Sequence, residues 1–179
     1  MAFILLLPDG STGTNEWANS GGSSHEESVQ SDDDDTSYVY DISQSHEITF
    51  TMANPSISEA SIDFDEDVTV RLYMYAHYYN GSGTIATLLQ ITGTGISLTG
   101  DAINIAIDSD YPAYISSSFT DKSLGTAWDY AGLQNIQARI DVTARPVRFS
   151  QVRVSYIYAR VDYTAITAAD NSTFFGANF

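Results

Sequence analysis

The sequence predicts an all-β fold, an antiparallel β-sandwich or jelly roll, and three observations carry that reading. Apolar and polar residues alternate with period two over Val68 to Tyr79, and the period recurs at Ile136 to Val142 and at Val152 to Tyr158. Gly, Pro, Asn and Ser punctuate the chain at short intervals. No segment has the period of an amphipathic helix, apart from a short turn near Trp128 to Leu133. Many short strands joined by such turns form sandwiches or jelly rolls. The 179 residues suffice for one sizeable core. The chain divides into an N-terminal strand and acidic arm (1–35), a β-domain (36–163) and a C-terminal tail (164–179).

Taken in order, the apolar run Phe3 to Leu7, closed by Pro8 and Gly10, reads as a first strand. It has no basic flank for a secretion signal and is far shorter than the ~20 residues of a membrane span. Asp9 to Asp35 is rich in Ser, Gly, Asn and acids and has little apolar material besides Trp17 and Val29. It reads as an irregular arm, mobile or laid against a neighbouring chain, with Trp17 as its anchor. From Thr36 the composition turns to Tyr, Val, Ile and Thr, which suit a pleated surface. Short strands are expected at Ser37 to Ile42, His46 to Met52 and Ala102 to Ile107.

The strongest strand places Val68, Val70, Leu72, Met74, Ala76 and Tyr78 on one face, with Thr69, Arg71, Tyr73, Tyr75, His77 and Tyr79 on the other. Asn80-Gly81-Ser82-Gly83 then predicts a turn into a returning strand over Thr84 to Thr92, an antiparallel hairpin. In the last period-two run, Val152, Val154, Tyr156 and Tyr158 share a face opposite Arg153, Ser155 and Ile157, and Arg145-Pro146 marks the preceding turn. The face bearing Tyr73, Tyr75 and Tyr79 is open to three readings: packing within the chain, a subunit interface, or a platform on which a ligand such as a sugar stacks. The tail ends in Phe174, Phe175 and Phe179, an apolar group that needs a cover from its own domain or another subunit.

Net charge is −16, with 23 acidic residues against 7 basic ones, which disfavours nucleic acid and anionic membranes as partners. Lys122 is the single lysine, and five of the six arginines lie between Arg139 and Arg160, so cationic character is local. The chain has no cysteine, hence no disulfide or thiolate chemistry. His25, His46 and His77 fall in separate segments without a zinc-binding spacing. Neither a serine-nucleophile elbow nor a phosphate loop occurs, and Gly81-Ser82-Gly83 and Gly93-Thr94-Gly95 read as hairpin turns. No catalytic residues are expected. Asp32 to Asp35 and the run containing Asp63, Asp65 and Asp67 are candidate Ca²⁺ ligands, but neither matches an EF-hand loop and both read more simply as solvated acidic loops.

The order of these elements resembles tailed-bacteriophage virion structural proteins of the β-sandwich type. The residues that carry it are Pro8-Asp9-Gly10, Trp17, Asp34-Asp35-Thr36-Ser37-Tyr38-Val39, Val70-Arg71-Leu72-Tyr73-Met74-Tyr75 and Arg153-Val154-Ser155-Tyr156-Ile157-Tyr158, spanning Phe3 to about Tyr163. The resemblance implies a non-enzymatic virion component assembled in the host cytoplasm. The expected role is a capsid decoration or cement protein, homo-oligomeric and bound to the major capsid protein or another virion protein. Phe3, Leu5, Trp17, Arg139, Arg145, Arg148, Arg153, Arg160, Phe174, Phe175 and Phe179 are the candidate interface residues. The alternative is a tail-fibre or baseplate module that binds host polysaccharide through Tyr73, Tyr75 and Tyr79.

Overall fold

The computed structural model describes residues 1–12, 16–30, 36–42, 46–81, 84–107, 110–144 and 150–166. Its elements follow chain order. Strands β1 (Ala2–Leu6), β2 (Pro8–Thr12), β3 (Ala18–Ser20), β4 (Tyr38–Asp41) and β5 (Glu47–Met52) come first. They are followed by β6 (Ile62–Asp63), β7 (Thr69–Tyr79), β8 (Thr84–Gly93), β9 (Ile96–Thr99), β10 (Ile103–Ala106) and β11 (Ala113–Ile115). A small hairpin, β12 (Asp121–Ser123) and β13 (Thr126–Ala127), precedes helix α1 (Tyr130–Leu133) and the strands β14 (Gln137–Val142) and β15 (Gln151–Ala165).

These strands form an antiparallel β-sandwich. The first sheet runs β11-β7-β15-β4-β3, with β1 and β6 also paired to β15; the second runs β10-β8-β14-β5-β2, with β9 on β8. Alternation fills the space between them. Val70, Leu72, Met74 and Ala76 of β7 and Ile157, Ala159 and Val161 of β15 are buried with Ile48 and Phe50 of β5, Leu89 and Ile91 of β8, and Ile140 of β14. Asp129 caps α1 by accepting a hydrogen bond from the Gly132 amide at 2.6 Å.

Three expectations are corrected. The turn after β7 does not close a hairpin: β7 pairs with β15 and β11, while β8 pairs with β14, β10 and β9 in the other sheet. The chain crosses between layers here, with Asn80 in the left-handed region (φ 55°) and Gly81 so close to the Tyr78 ring that a Cβ would lie 2.2 Å from it. The crossing lets both strands bury an apolar face against each other's sheet rather than share one.

The N-terminal segment is also not a detached arm. β1 pairs with β15, β2 with β5 and β3 with β4, so the first twenty residues add strands to both sheets, and Trp17 and Val29 are buried in the common core. The Ser/Gly-rich composition hid strands whose partners are distant in sequence.

The third correction concerns β15. Its register against β7 shifts between Val154 and Tyr156, a β-bulge that inserts Ser155. One extra residue exchanges the faces of everything after it. Val152 and Val154 face inward, but beyond the bulge Ile157, Ala159 and Val161 take the core positions, and Tyr156 and Tyr158 turn outward beside Arg153.

Candidate functional site

The two outer faces of the sandwich differ in chemistry. On the second sheet, register places Gln137, Arg139 and Asp141 of β14 beside Thr49, Thr51 and Glu47 of β5 and Leu88, Gln90 and Thr92 of β8, so that Leu88 is the one aliphatic side chain among these positions. Arg139 pairs there with Glu47, and with Asp141 at 3.8 Å. This is a polar, charge-paired face suited to water.

The first sheet carries tyrosines and arginines. Cross-strand pairs align Tyr158 with Tyr73 and Tyr156 with Tyr75, and Arg160 lies opposite Arg71. Tyr38 and Tyr40 extend the surface on β4, Phe3 and Leu5 on β1, and Ile115 on β11. Phe3, Leu5, Tyr79 and Ile115 are 55%, 46%, 45% and 52% exposed, so the margins hold large apolar groups in water. The surface spans the sheet's path of five strands, of which β7 and β15 run the full length of the face.

Within this face the rings cover one another. Tyr73 and Tyr158 stack with planes 3° apart and centroids 4.8 Å apart; Tyr75–Tyr156 and Tyr156–Tyr158 are tilted pairs at 5.6 and 5.1 Å. Side chains stand roughly perpendicular to a sheet, so rings that stack across strands turn their faces to each other and their edges outward. Burial, reinforced by the neighbouring Tyr75, Tyr73 and Tyr156, pushes the Tyr158 phenol above its ordinary pKa. At the far end, His77 is buried against Tyr111 at 4.2 Å and near Tyr79 at 5.9 Å.

The arginines occupy two settings. Arg71 and Arg160 both bind Asp162: Arg71 Nη1 donates to Oδ2 at 2.9 Å, and Arg160 donates to Oδ1 from Nε at 3.0 Å and Nη2 at 2.7 Å. That pairing raises the Arg160 pKa. Arg160 also lies 4.4 Å from the centre of the Phe3 ring. Arg153 instead lies against Tyr79 (3.4 Å to the ring centre) and Tyr38 (4.5 Å), and its Nε donates to Gln151 Oε1 at 2.8 Å.

Of the residues singled out from sequence, Phe3, Leu5, Arg153, Arg160, Tyr73, Tyr75 and Tyr79 thus share one face, although they were assigned to two different roles. Arg139 lies on the opposite sheet. Trp17 is 3% exposed and belongs to its own chain's hydrophobic core, so the anchoring role on a neighbour is corrected. Arg145, Arg148, Phe174, Phe175 and Phe179 lie outside the described residues, as do Asp32 to Asp35 and the turn at Arg145-Pro146. Asp65 and Asp67 line a cavity of about 180 Å³ beside Trp128 and Asp121, and Asp63 Oδ1 accepts from the Asp65 amide at 3.1 Å. Among the described residues no three His, Cys, Asp or Glu side chains gather closely enough to hold a metal ion.

Tyr156 and Tyr158 were missed because their reading assumed unbroken alternation. A signal for the bulge was present: Arg153 has odd parity, whereas Arg160 and Asp162 have even parity, and charged residues of both parities cannot share one solvent face in an unbroken strand.

No family model and no curated protein matches the chain. Among solved structures it is similar to the CBM22-1 xylan-binding domain of Xyn10C from Paenibacillus barcinonensis, at a TM-score of 0.45 and 9% identity over 93% of this chain and 95% of that one. It is also similar to the Agl-KA catalytic domain, at a TM-score of 0.45 and 8% identity, over 96% of this chain and 30% of that chain. These are likenesses of strand arrangement and assign no ligand or reaction to this chain.

Proposed function

We propose that this chain is a structural protein that docks onto other proteins through the tyrosine–arginine face of its first sheet, as a capsid decoration protein on a phage head. The observation that carries the reading is the coincidence on one face of stacked tyrosines, arginines and exposed Phe3, Leu5, Tyr79 and Ile115. Protein interfaces are enriched in this mixture. The capsid assignment comes from the sequence resemblance, while the docking role comes from the face itself.

A sugar-binding platform is the weaker reading for a geometric reason. Stacking on a pyranose needs a free aromatic ring face. Here Tyr73 and Tyr158 cover each other, and Arg153 lies over the Tyr79 ring. The stacked Tyr73–Tyr158 pair presents ring edges and hydroxyls, which hydrogen-bond to a protein surface without needing a flat hexose.

Density-gradient fractionation of a producing phage lysate tests the role. The wild-type chain is expected in the particle fraction. A Leu5→Asp/Ile115→Asp variant, altered only at two exposed margins, is expected in the soluble fraction with its fold intact by circular dichroism. A wild-type chain found only in the soluble fraction would overturn the assignment.

A further inference from the structure

In a chain with 23 carboxylates and 7 basic residues, a cation without an acidic partner is unusual. The described cations are otherwise paired: Arg71 and Arg160 with Asp162, Arg139 with Glu47, Lys122 with Asp129. Arg153 has no carboxylate within ion-pair distance among the described residues. It stands on the central strand β15, half-buried, with Tyr79 of β7 on one side and Tyr38 of β4 on the other. Gln151 Oε1 takes its Nε–H, which orients the guanidinium and leaves the two Nη groups without a hydrogen-bond partner in the described structure.

From this we infer that Arg153 is the specificity residue of the docking face and that it receives a carboxylate from an acidic segment of the partner protein. The inference rests on the docking reading and names the partner's chemistry. Three physical points support it. A guanidinium fork matches a carboxylate in a bidentate pair, and it loses less freedom on binding when already held in place. Two aromatic faces near the guanidinium supply part of its solvation, so it tolerates burial in an interface until the acid arrives. Charge complementarity gives the partner's sign, because the outward positions of β7, β15, β4 and β1 hold Arg71, Arg153 and Arg160 against Asp162, and the other carboxylate of the sheet's outward positions, Asp63 of β6, pairs at the end of β15 far from Arg153. A second copy docking the same face against itself would bring like charges together, which rules out a face-to-face pair; the occupant is the acidic surface of a different protein, and self-association of the purified chain that Arg153→Gln abolishes would overturn that choice.

The test uses the full ¹⁵N-labelled chain and poly-L-glutamate as the probe, with the arginine side-chain Nε–H signals followed by NMR. The Arg153 signal is expected to shift saturably, more than those of Arg71, Arg139 and Arg160, and binding is expected to weaken as salt is raised. Arg153→Gln should abolish the shift of the surrounding tyrosine resonances. Arg153→Lys, which keeps the charge but loses the fork, should weaken binding about tenfold. Unchanged binding by Arg153→Gln would overturn the inference, as would no binding by the wild-type chain, or preferential binding of polygalacturonate, a carboxylated glycan. Peptide binding by a chain that stays out of the particle fraction would refute the virion role and leave the Arg153 assignment standing; particle binding unaffected by Arg153→Gln would refute Arg153 alone.

Discussion

Each buried or stacked side chain has a consequence set by its surroundings. Trp17 is buried among aliphatic residues of its own chain, so Trp17→Ala removes core volume and is expected to cost about 3–5 kcal/mol in urea unfolding. A side chain that merely anchored an arm to a neighbour would cost almost nothing in the isolated protein. Tyr158 behaves differently, because its protonated phenol is favoured by burial among other tyrosines. A folded pKa raised above the unfolded value contributes stability that is fully present below the unfolded pKa and is lost as pH rises through the folded one. Ultraviolet titration of wild type against Tyr158→Phe should therefore assign to Tyr158 an ionisation above the ordinary tyrosine range. The opposite sign holds for Asp129, whose pKa is lowered first by the Lys122 hydrogen bond; its contribution is present at neutral pH and fades as acid protonates it.

At the level of the strand, the bulge at Ser155 decides what the first sheet displays. Ser155 Oγ is buried without a hydrogen-bond partner, so Ser155→Ala should be neutral or stabilising, since it deletes an unsatisfied polar group and keeps the residue count. Removing residue 155 altogether should be severely destabilising. It would turn Tyr156 and Tyr158 into the core and Ile157, Ala159 and Val161 into water, and thermal denaturation of the two variants measures the contrast. The same scale shows what sequence could supply. The alternation of β7 and the strand positions at β4, β5, β10 and β14 were legible because each depends on local periodicity. The Gly93-Thr94-Gly95 turn was legible as well, and it joins the paired strands β8 and β9. Asn80-Gly81 carries similar turn chemistry yet sends the chain to the other sheet. Turn residues state that the chain reverses; the partner of the returning strand is a matter of long-range packing. Likewise Tyr73, Tyr75 and Tyr79 could be placed on one face, but joining them to Phe3, Leu5, Arg153 and Arg160 needed a pairing that spans the whole chain.

Across the whole molecule, the first and last described strands meet in one sheet. β1 lies on β15, with Ala2 opposite Tyr163 and Leu6 opposite Ala159, and β2 crosses at once into the other layer. A deletion of residues 1–35 should therefore abolish the cooperative unfolding transition rather than release an intact sandwich, which differential scanning calorimetry would show. The division into arm and domain gives way to one sandwich with two unlike faces, one charge-paired and polar, the other aromatic and cationic in an otherwise acidic chain. On the proposed docking role, that asymmetry gives the protein a defined orientation on its partner. Radical footprinting of the free and particle-bound chain tests it most directly. The docking account predicts that Tyr73, Tyr75, Tyr79, Tyr156, Tyr158 and Phe3 become protected on binding while the face around Arg139 stays open to solvent. Protection of the Arg139 face, with the tyrosines reacting as they do in the free protein, would contradict it.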